Sequence, residues 1–363
     1  MGSTLFDSEN SQVGLIASDP TTDAQAGVSL SKPPVLRPCQ HQVAGHLFEA
    51  GKAGSLVDDR GNFYKPLQPG PRGARELAFY EHVFCHASSS GSQKTRRTAV
   101  ESEEEEGIDT RWNRKDIHLK FVPRFSGTID IGGRKLLALE DVGARYSKPS
   151  VIDIKIGYRT WYNSSDERYV ARARAKDEAT TQASLGFKIC GWQVYKHSKE
   201  KICRGSKSFC KTMSEGQVDR AFCDFADNET GLGPESVFGG TFGAIPQLLE
   251  LHSWFQHQRM FHFYSSSVLI FYEGSAACPE DLNVRVSMVD FAHTFPAEGR
   301  WDENYLEGLT SLIDHLGLVA GDRCSNRACT DSPIGEVPPA PSSRKFSKNQ
   351  DLLMVCGSFS SQP

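Results

Sequence analysis

The chain has 363 residues, of which 38% are hydrophobic and 24% charged, and its formal net charge at pH 7 is −4. This length and composition predict a globular protein with one large domain or two closely packed lobes. They exclude a chain built around a membrane span, because no apolar run is long enough to cross a bilayer, and we expect no stable membrane insertion. The ten cysteines fit no zinc or redox spacing, so we expect reduced thiols.

Charge is distributed unevenly along the chain. Residues 111–220 hold 23 Lys and Arg against 12 Asp and Glu, an excess of 11 positive charges. This excess predicts an anionic ligand for the middle third of the chain, although a solvated basic surface, nucleic acid or an acidic lipid would explain the number equally well.

Three polar segments interrupt the parts that can fold. Residues 1–32 lack helical or strand periodicity, residues 87–110 join a Ser/Gly run to the basic cluster "KTRR" and an acidic block, and residues 321–363 are rich in Pro and Ser. Low hydrophobicity with clustered charge predicts a disordered N-terminus, a flexible insertion and a largely disordered tail.

The first folded part predicts short strands followed by one helix. In "NFYKPLQ", Lys65 lies on a predicted strand, and Glu76 follows eleven residues later on a helix with apolar residues at helical spacing. Kinases hold a positive charge against nucleotide phosphates with a strand lysine that is tied to a helix glutamate. Taken alone, an exposed strand lysine is the simpler explanation of Lys65.

The stretch "PSVIDIKIGYR" sets two opposite charges on one side of a predicted strand. Asp153 and Lys155 share one face, whereas Ile152, Ile154 and Ile156 share the other. The strand is therefore predicted to be half buried, with a charged face that can look into a cleft. The alternative is a cross-strand salt bridge of little energetic value.

Residues 166–181, "DERYVARARAKDEATT", predict a helix with Ser165 as its N-cap. Arg168, Arg172 and Lys176 fall at positions i, i+4 and i+8, which places one basic stripe on one helix face. Further on, "NYLEGLTSLIDHLG" predicts a closing amphipathic helix.

The segment "VRVSMVDFAHTF" ends a row of apolar side chains with a carboxylate, because Asp290 shares a strand face with Val286 and Met288. A carboxylate in this position is typical of a magnesium ligand in phosphoryl transfer. A structural role for Asp290, as a cap of the following turn, is an equally good interpretation of this stretch.

Together these stretches resemble the inositol polyphosphate kinase family. "PSVIDIKIG" fits its signature Pro-x-x-x-Asp-x-Lys-x-Gly, "SSSVLIFYEG" and "MVDFAHT" are similar to two downstream motifs, and the resemblance extends from about residue 42 to residue 317. The helix "ARARAKDEATT" is similar to the plant multikinases of the family. The resemblance implies an α+β, two-lobed, protein-kinase-like fold. It comprises a β-rich N-lobe at 33–145, an α/β C-lobe at 146–320 and a short helical insertion that binds inositol phosphate at about 160–215.

The resemblance also implies the cofactors ATP and Mg²⁺ and a set of site residues. By this resemblance, Lys65 and Glu76 would contact the nucleotide phosphates, and the backbone of Glu140 and Val142 would contact the adenine. Asp153 would contact the ribose, and Asp290 would contact the nucleotide and hold the metal. The residues that would bind substrate phosphates are Lys155, Arg172, Lys176 and His293. Asp153, Lys155 and Asp290 are the expected catalytic residues. The unusual triple serine leaves open which of Ser265, Ser266 and Ser267 approaches the nucleotide.

The implied activity is that of an inositol polyphosphate multikinase, which phosphorylates inositol 1,4,5-trisphosphate to the tetrakisphosphate and the pentakisphosphate. A single-step kinase of the same family is one alternative, either a trisphosphate 3-kinase or a hexakisphosphate kinase. A non-catalytic nuclear scaffold that binds protein partners through its disordered segments is another. We expect a monomer that does not bind nucleic acid and that resides in the nucleus and also in the cytoplasm.

Overall fold

The computed structural model describes residues 35–44, 54–88, 120–163, 166–205, 207–321 and 334–336. The predicted disordered N-terminus, Ser165, and most of the predicted insertion and tail lie outside these residues. Two residues of the insertion, 87 and 88, belong to a helix, and residues 334–336 of the tail form a strand.

A five-stranded antiparallel sheet forms the N-terminal part. Its strands are β1 (Arg37–Pro38), β2 (Leu56–Val57), β3 (Asn62–Pro66), β4 (Phe125–Ile131) and β5 (Arg134–Glu140), in the order β1-β2-β3-β5-β4. Gly132 and Gly133 have φ values of 58° and 74° and form the two-residue turn between β4 and β5. Positive φ at both turn positions matches the twist of a hairpin, which explains the two glycines. Helix α1 (Pro71–Ser88) follows β3.

A second sheet of six strands carries the signature segment. Its strands are β6 (Pro149–Ile156), β7 (Phe187–Lys196), β8 (Lys201–Gly205), β10 (Ser267–Glu273), β11 (Arg285–Val289) and β13 (Ile334–Glu336), and β9 (Phe261–Phe263) pairs separately with β12 (Thr294–Pro296). The order is β11-β10-β6-β7-β8-β13, and every pair is antiparallel. The predicted α/β C-lobe is wrong in this respect, because the helix-containing connection between β6 and β7 returns the chain antiparallel.

The helices of this part pack on the second sheet and on one another. They are α2 (Glu167–Glu178), α3 (Thr181–Leu185), α4 (Lys207–Thr212), α5 (Glu215–Ala226), α6 (Pro234–Val237), α7 (Ala244–His257) and α8 (Glu303–Gly321). The helix predicted at 166–181 is shorter than expected. Asp166 is its N-cap, with a carboxylate that accepts the Tyr169 N–H at 3.0 Å. The helix ends at Glu178, and Thr180 caps a separate helix, α3.

Helix α8 is the predicted closing helix, and it supports the turn after the signature strand. Gly308 lies against that turn so closely that a Cβ there would be 2.5 Å from the Gly157 nitrogen. Gly157 itself has a φ of 103°, a conformation that favours glycine. The signature strand therefore ends on a backbone-to-backbone contact that positions the residues after it.

Cysteine chemistry differs from the prediction at one position. Among the described residues, Cys39, Cys190, Cys203, Cys210 and Cys278 are free thiols. Cys223 is disulfide-bonded, so the expectation of reduced thiols throughout is wrong for that residue.

Candidate functional site

A cavity lies where the first sheet meets the second. Its wall is largely apolar and includes Phe63, Leu139, Val151, Leu269, Phe271 and Val289. Charged side chains enter it at one end, namely Lys65, Asp153 and Asp290. A mostly apolar pocket with a few convergent charges is typical of a ligand site.

Lys65 links two carboxylates at this end of the cavity. Its Nζ lies 2.6 Å from Glu76 Oε1 on α1 and 2.5 Å from Asp290 Oδ1, which follows β11. Glu76 is fully buried, and its Oε1 also accepts the Phe291 N–H at 3.2 Å. Burial opposes the charge on Lys65, but Asp290 and Glu76 outweigh that effect and raise the pKa of the lysine. The predicted lysine–glutamate pair is present, and Lys65 is not an exposed strand lysine.

Asp290 stands where the chain leaves β11. Its φ is +68°, and its side chain is 42% exposed, so the carboxylate reaches the cavity from a left-handed turn. The Ser266 hydroxyl donates to the Asp290 carbonyl at 2.7 Å and fixes that turn. Left-handed backbone is uncommon outside glycine, and it clusters at functional sites.

The signature strand has the predicted two faces. Ile152, Ile154 and Ile156 are fully buried, and Asp153, which borders the cavity, is buried as well, so the strand is more deeply buried than the predicted half-buried one. The buried Oδ1 of Asp153 has no hydrogen-bond partner, and among the described residues Asp153 forms no ion pair, which removes the salt-bridge alternative there. Burial and the neighbouring Asp290 raise the pKa of Asp153 to about 6. Lys155 instead donates to the Ser265 carbonyl at 2.5 Å.

The segment after β5 closes another side of the cavity. The Glu140 carboxylate pairs with Arg285 at 2.5 Å, so the Glu140 side chain is held by this ion pair. Asp141 caps the 3-10 turn Val142–Arg145 by accepting the Gly143 N–H at 3.0 Å. Glu140 and Val142 both line the cavity, and their contact with adenine stays a prediction.

Positive charge collects around His293. Burial, followed by the nearby cations Arg72, Arg75 and Lys155, lowers the pKa of His293 to about 4. Its buried Nδ1 has no hydrogen-bond partner. Neither arginine was predicted from the sequence, although their spacing in "PRGARE", at the start of α1 and just before Glu76, could have indicated a shared face.

Lys188 is a further residue that was not predicted from the sequence. It lies directly opposite Lys155 in the pairing of β6 with β7. Burial lowers the pKa of Lys188, and both Lys155 and Lys176 act in the same direction. Lys176 therefore lies near this lysine pair. Arg172 and Lys176 are both exposed, and within the described part of the chain the Arg172 Nε donates to the Arg168 carbonyl of its own helix at 3.1 Å.

Comparison with known proteins follows the same motifs. A family model described as inositol polyphosphate kinase matches residues 136–317. The chain is 35% identical over 292 residues to inositol polyphosphate multikinase alpha of Arabidopsis thaliana, covering 76% of this chain and 93% of that protein. It is 36% identical over 305 residues to inositol polyphosphate multikinase IPK2 of Oryza sativa subsp. indica, covering 79% and 95% respectively. The chain belongs to the inositol polyphosphate kinase family.

Solved structures agree with this membership of the inositol polyphosphate kinase family. A solved structure from structural studies and protein engineering of inositol phosphate multikinase matches with a TM-score of 0.52 and 31% identity. The match covers 67% of this chain and 99% of the solved chain. The Saccharomyces cerevisiae multikinase Ipk2, in complex with ADP and Mn²⁺, shares the fold with a TM-score of 0.52 and 20% identity, over 71% and 98%. The protein is thus an inositol phosphate kinase with an α+β fold. None of the helices in the described residues is both long and apolar enough to cross a membrane.

Proposed function

We propose that this kinase is an ATP-dependent multikinase that converts inositol 1,4,5-trisphosphate through a tetrakisphosphate to a pentakisphosphate. One juxtaposition carries the proposal: the Lys65–Glu76–Asp290 group borders the same cavity as Asp153, and Lys155 lies two residues further along the same strand. The relatives with 35% and 36% identity are multikinases, which favours sequential phosphorylation over a single step.

The nucleotide fits the cavity between the two sheets, in a two-lobed arrangement of the protein-kinase type. Apolar side chains such as Leu139 and Val151 suit the adenine ring, and the backbone of Glu140 and Val142 suits its edge. Lys65 is then the cation for the phosphates, oriented by Glu76. A multikinase with the same fold binds ADP and Mn²⁺, which supports ATP with a divalent metal in this chain.

The residues present fit Mg²⁺ that arrives with the nucleotide. The described residues contain no cluster of three or more His, Cys, Asp or Glu that could hold a metal without other ligands. Mg²⁺ is commonly held by one or two carboxylates together with phosphates and water. Asp290 would hold it, and the unpartnered Oδ1 of Asp153 is a second hard oxygen at the same cavity. When bound there, Mg²⁺ offsets the phosphate charge.

The proposed substrate site is a group of neighbouring cations near His293 and on the pair of strands β6 and β7. Like charges directly opposite each other in a sheet are destabilising, and Lys155 faces Lys188 in this way. Arg72 and Arg75 add positive charge on the other side, near His293. A small ring that carries several phosphates would offset this repulsion. Several charge-assisted contacts would also fix which hydroxyl faces the γ-phosphate.

The experiment is a time course with ATP, Mg²⁺ and inositol 1,4,5-trisphosphate, with the products resolved by anion-exchange chromatography. A tetrakisphosphate that rises and then falls as pentakisphosphate appears would establish the multikinase. Accumulation that stops at the tetrakisphosphate would mean a single-step kinase. No product from folded protein would favour the scaffold alternative.

The variant Asp290→Asn tests the metal ligand in the same assay. We expect kcat to fall by at least about 100-fold, because the amide lacks the charge that holds the metal. The control Asp314→Asn removes an exposed carboxylate on α8 and should leave turnover unchanged. Full activity in Asp290→Asn would refute the metal assignment.

Nuclear residence, a monomeric state and protein partners stay predictions. The basic clusters "KTRR" and "SSRKFSK" that suggested the nucleus lie outside the described residues, as does the acidic block at 103–106.

A further inference from the structure

The segment at residues 35–44, which we name the strap, forms part of the cavity wall. Its residues Cys39, His41, Gln42, Val43 and Ala44 all line the cavity. Their sequence pattern predicted no role for any of them. Apart from β1, which pairs with β2, the strap has no regular structure, and it is held by the Cys39 N–H, which donates to the Ser55 carbonyl at 3.2 Å, together with side-chain contacts.

His41 ties the strap to the turn after β5. Its Nε2 lies 2.7 Å from Asp141 Oδ1, and the two side chains are only 16% and 6% exposed. The same oxygen accepts the Gly143 N–H at 3.0 Å. The imidazole also packs edge-on against Phe271, with ring centroids 6.2 Å apart.

Gly143 shows how closely the ring and the turn fit. A Cβ at Gly143 would be 2.4 Å from His41 Nε2, which is closer than real Cβ contacts. The ring therefore lies directly on the backbone of the turn. Burial opposes a charged imidazole, but hydrogen bonds to Asp141 and Cys39 outweigh it and raise the pKa of His41.

Residues on both sides of His41 tie the strap to the second sheet. A Cβ at Gly191 on β7 would be 2.5 Å from the Val43 carbonyl oxygen, so the strap backbone lies directly on that strand. The Arg204 guanidinium on β8 donates to the Gln40 carbonyl, and Gln193 holds Arg204 at 3.0 Å. The strap thus connects the turn after β5 to the sheet that carries Asp153.

We propose that His41 is a positioning residue for the adenine nucleotide. Through its ion pair with Asp141 it fixes Val142 and Gly143, two residues of the cavity wall, and it holds the strap over the same cavity. The proposal rests on the proposed function, because it assumes that the cavity takes ATP. Without the imidazole, Asp141 keeps a buried charge with one partner fewer, and the turn and strap lose their shared anchor.

Kinetics of His41→Ala test this role. We expect the KM for ATP to rise about tenfold, the equivalent of one charge-assisted hydrogen bond, while kcat and the KM for inositol 1,4,5-trisphosphate stay within about twofold. His41→Gln keeps a hydrogen-bond donor and should recover part of the ATP affinity. The control His252→Ala removes a histidine whose ring bonds the exposed Thr310 hydroxyl at 2.9 Å, and it should change neither KM.

Equilibrium binding of a fluorescent ATP analogue provides a readout that does not need turnover. Weaker binding by His41→Ala, with little further loss in His41→Ala/Asp141→Asn, would support the pair as one unit. Unchanged binding, or an equal rise of both KM values, would overturn the inference. If His41→Ala does not fold, Gly143→Ala displaces the ring while both partners remain, and unchanged ATP binding in that variant would overturn it too.

The two proposals fail in different ways. A wild-type protein that neither binds ATP nor phosphorylates the inositol phosphate refutes the proposed function and this inference with it. A wild-type protein that does both, beside a His41→Ala variant with the same ATP affinity, refutes only the role of His41.

Discussion

Lys65 and Lys155 are both cations near one cavity, but their surroundings differ. Lys65 already has two carboxylate partners, Glu76 and Asp290. Lys155 has a carbonyl partner and a second lysine, Lys188, opposite it. The first lysine is therefore neutralised by two carboxylates in direct contact, whereas the second, in the described part of the chain, has only the electrostatic attraction of Asp153 and is free to contact an anionic ligand.

The pKa of His293 offers a test of whether cations gather near Lys155. Its pKa falls from the ordinary 6.5 to about 4 through burial and neighbouring cations, so the folded protein keeps it neutral where the unfolded chain protonates it. Stability from this group should fall as the pH drops from 6.5 towards 4, because the unfolded chain then binds more protons. A bound polyanion would offset the cations and raise the pKa.

We therefore expect an NMR titration to give His293 a pKa near 4 without ligand and a value at least about one unit higher with inositol 1,4,5-trisphosphate bound. His252, whose ring bonds Thr310 between α7 and α8, should not respond to the ligand. An ordinary pKa for His293 without ligand, or no shift on binding, would contradict the cationic site.

Helix α2 is held to the segment after the signature strand by one buried carboxylate. Asp177 accepts the Thr160 N–H and the Thr160 hydroxyl, both at 2.8 Å. This contact lies at the C-terminal end of the helix. It therefore fixes Lys176, the neighbouring residue, more firmly than Arg172, which lies more than one turn away.

The two members of the basic stripe should consequently behave differently. We expect Lys176→Ala to raise the KM for inositol 1,4,5-trisphosphate about tenfold, because Lys176 lies with Lys155 and Lys188. Arg172→Ala should change it by less than about threefold, since the Arg172 guanidinium donates within its own helix, to the Arg168 carbonyl, and an exposed charge held there contributes little. Lys199→Ala, a charge-matched control in the 3-10 turn before β8, should have no effect. Equal effects of Lys176→Ala and Arg172→Ala would contradict this ranking.

The periodicity of apolar residues predicts where helices and strands lie better than it predicts where they end or which strands pair. The alternation in "VIDIKI" was enough to place three isoleucines in the core and Asp153 at the cavity. The pairing of Lys188 with Lys155 was not predicted, because strand register is set by turns and by packing across the sheet, and the sequence of one strand does not contain that information. The role of the strap was not predicted, because its sequence has little periodicity. Its role depends on contacts with Asp141 and Gly191, about 100 and 150 residues away along the chain.

In the whole molecule, three charged groups from three elements join the two sheets. Lys65 belongs to β3, Glu76 to α1, and Asp290 follows β11 of the second sheet. The strap adds a second connection beside the turn after β5. The charges proposed to bind nucleotide phosphates are therefore also charges that hold the two sheets together, so a single substitution can lower both activity and stability.

A pair of variants separates the two effects. Lys65→Met leaves the fully buried Glu76 without its cation, and removing one partner of a buried pair costs about 3–5 kcal/mol of unfolding free energy. Lys65→Met/Glu76→Gln removes the buried charge and keeps an oxygen for the Phe291 N–H, so we expect it to recover most of that loss. Asp290 needs less compensation, because water reaches its side chain, which is 42% exposed.

Urea denaturation measures the unfolding free energies, and the product assay measures turnover. Both Lys65 variants should be inactive, because the phosphate cation is lost in each, so stability should return without activity. Lys120 pairs with Glu250 at the surface, where the two side chains are 59% and 43% exposed, and Lys120→Met should cost less than about 1 kcal/mol. If the double variant is as unstable as Lys65→Met, the loss comes from packing of the lysine stem. In that case the buried charge of Glu76 does not depend on Lys65 for its compensation.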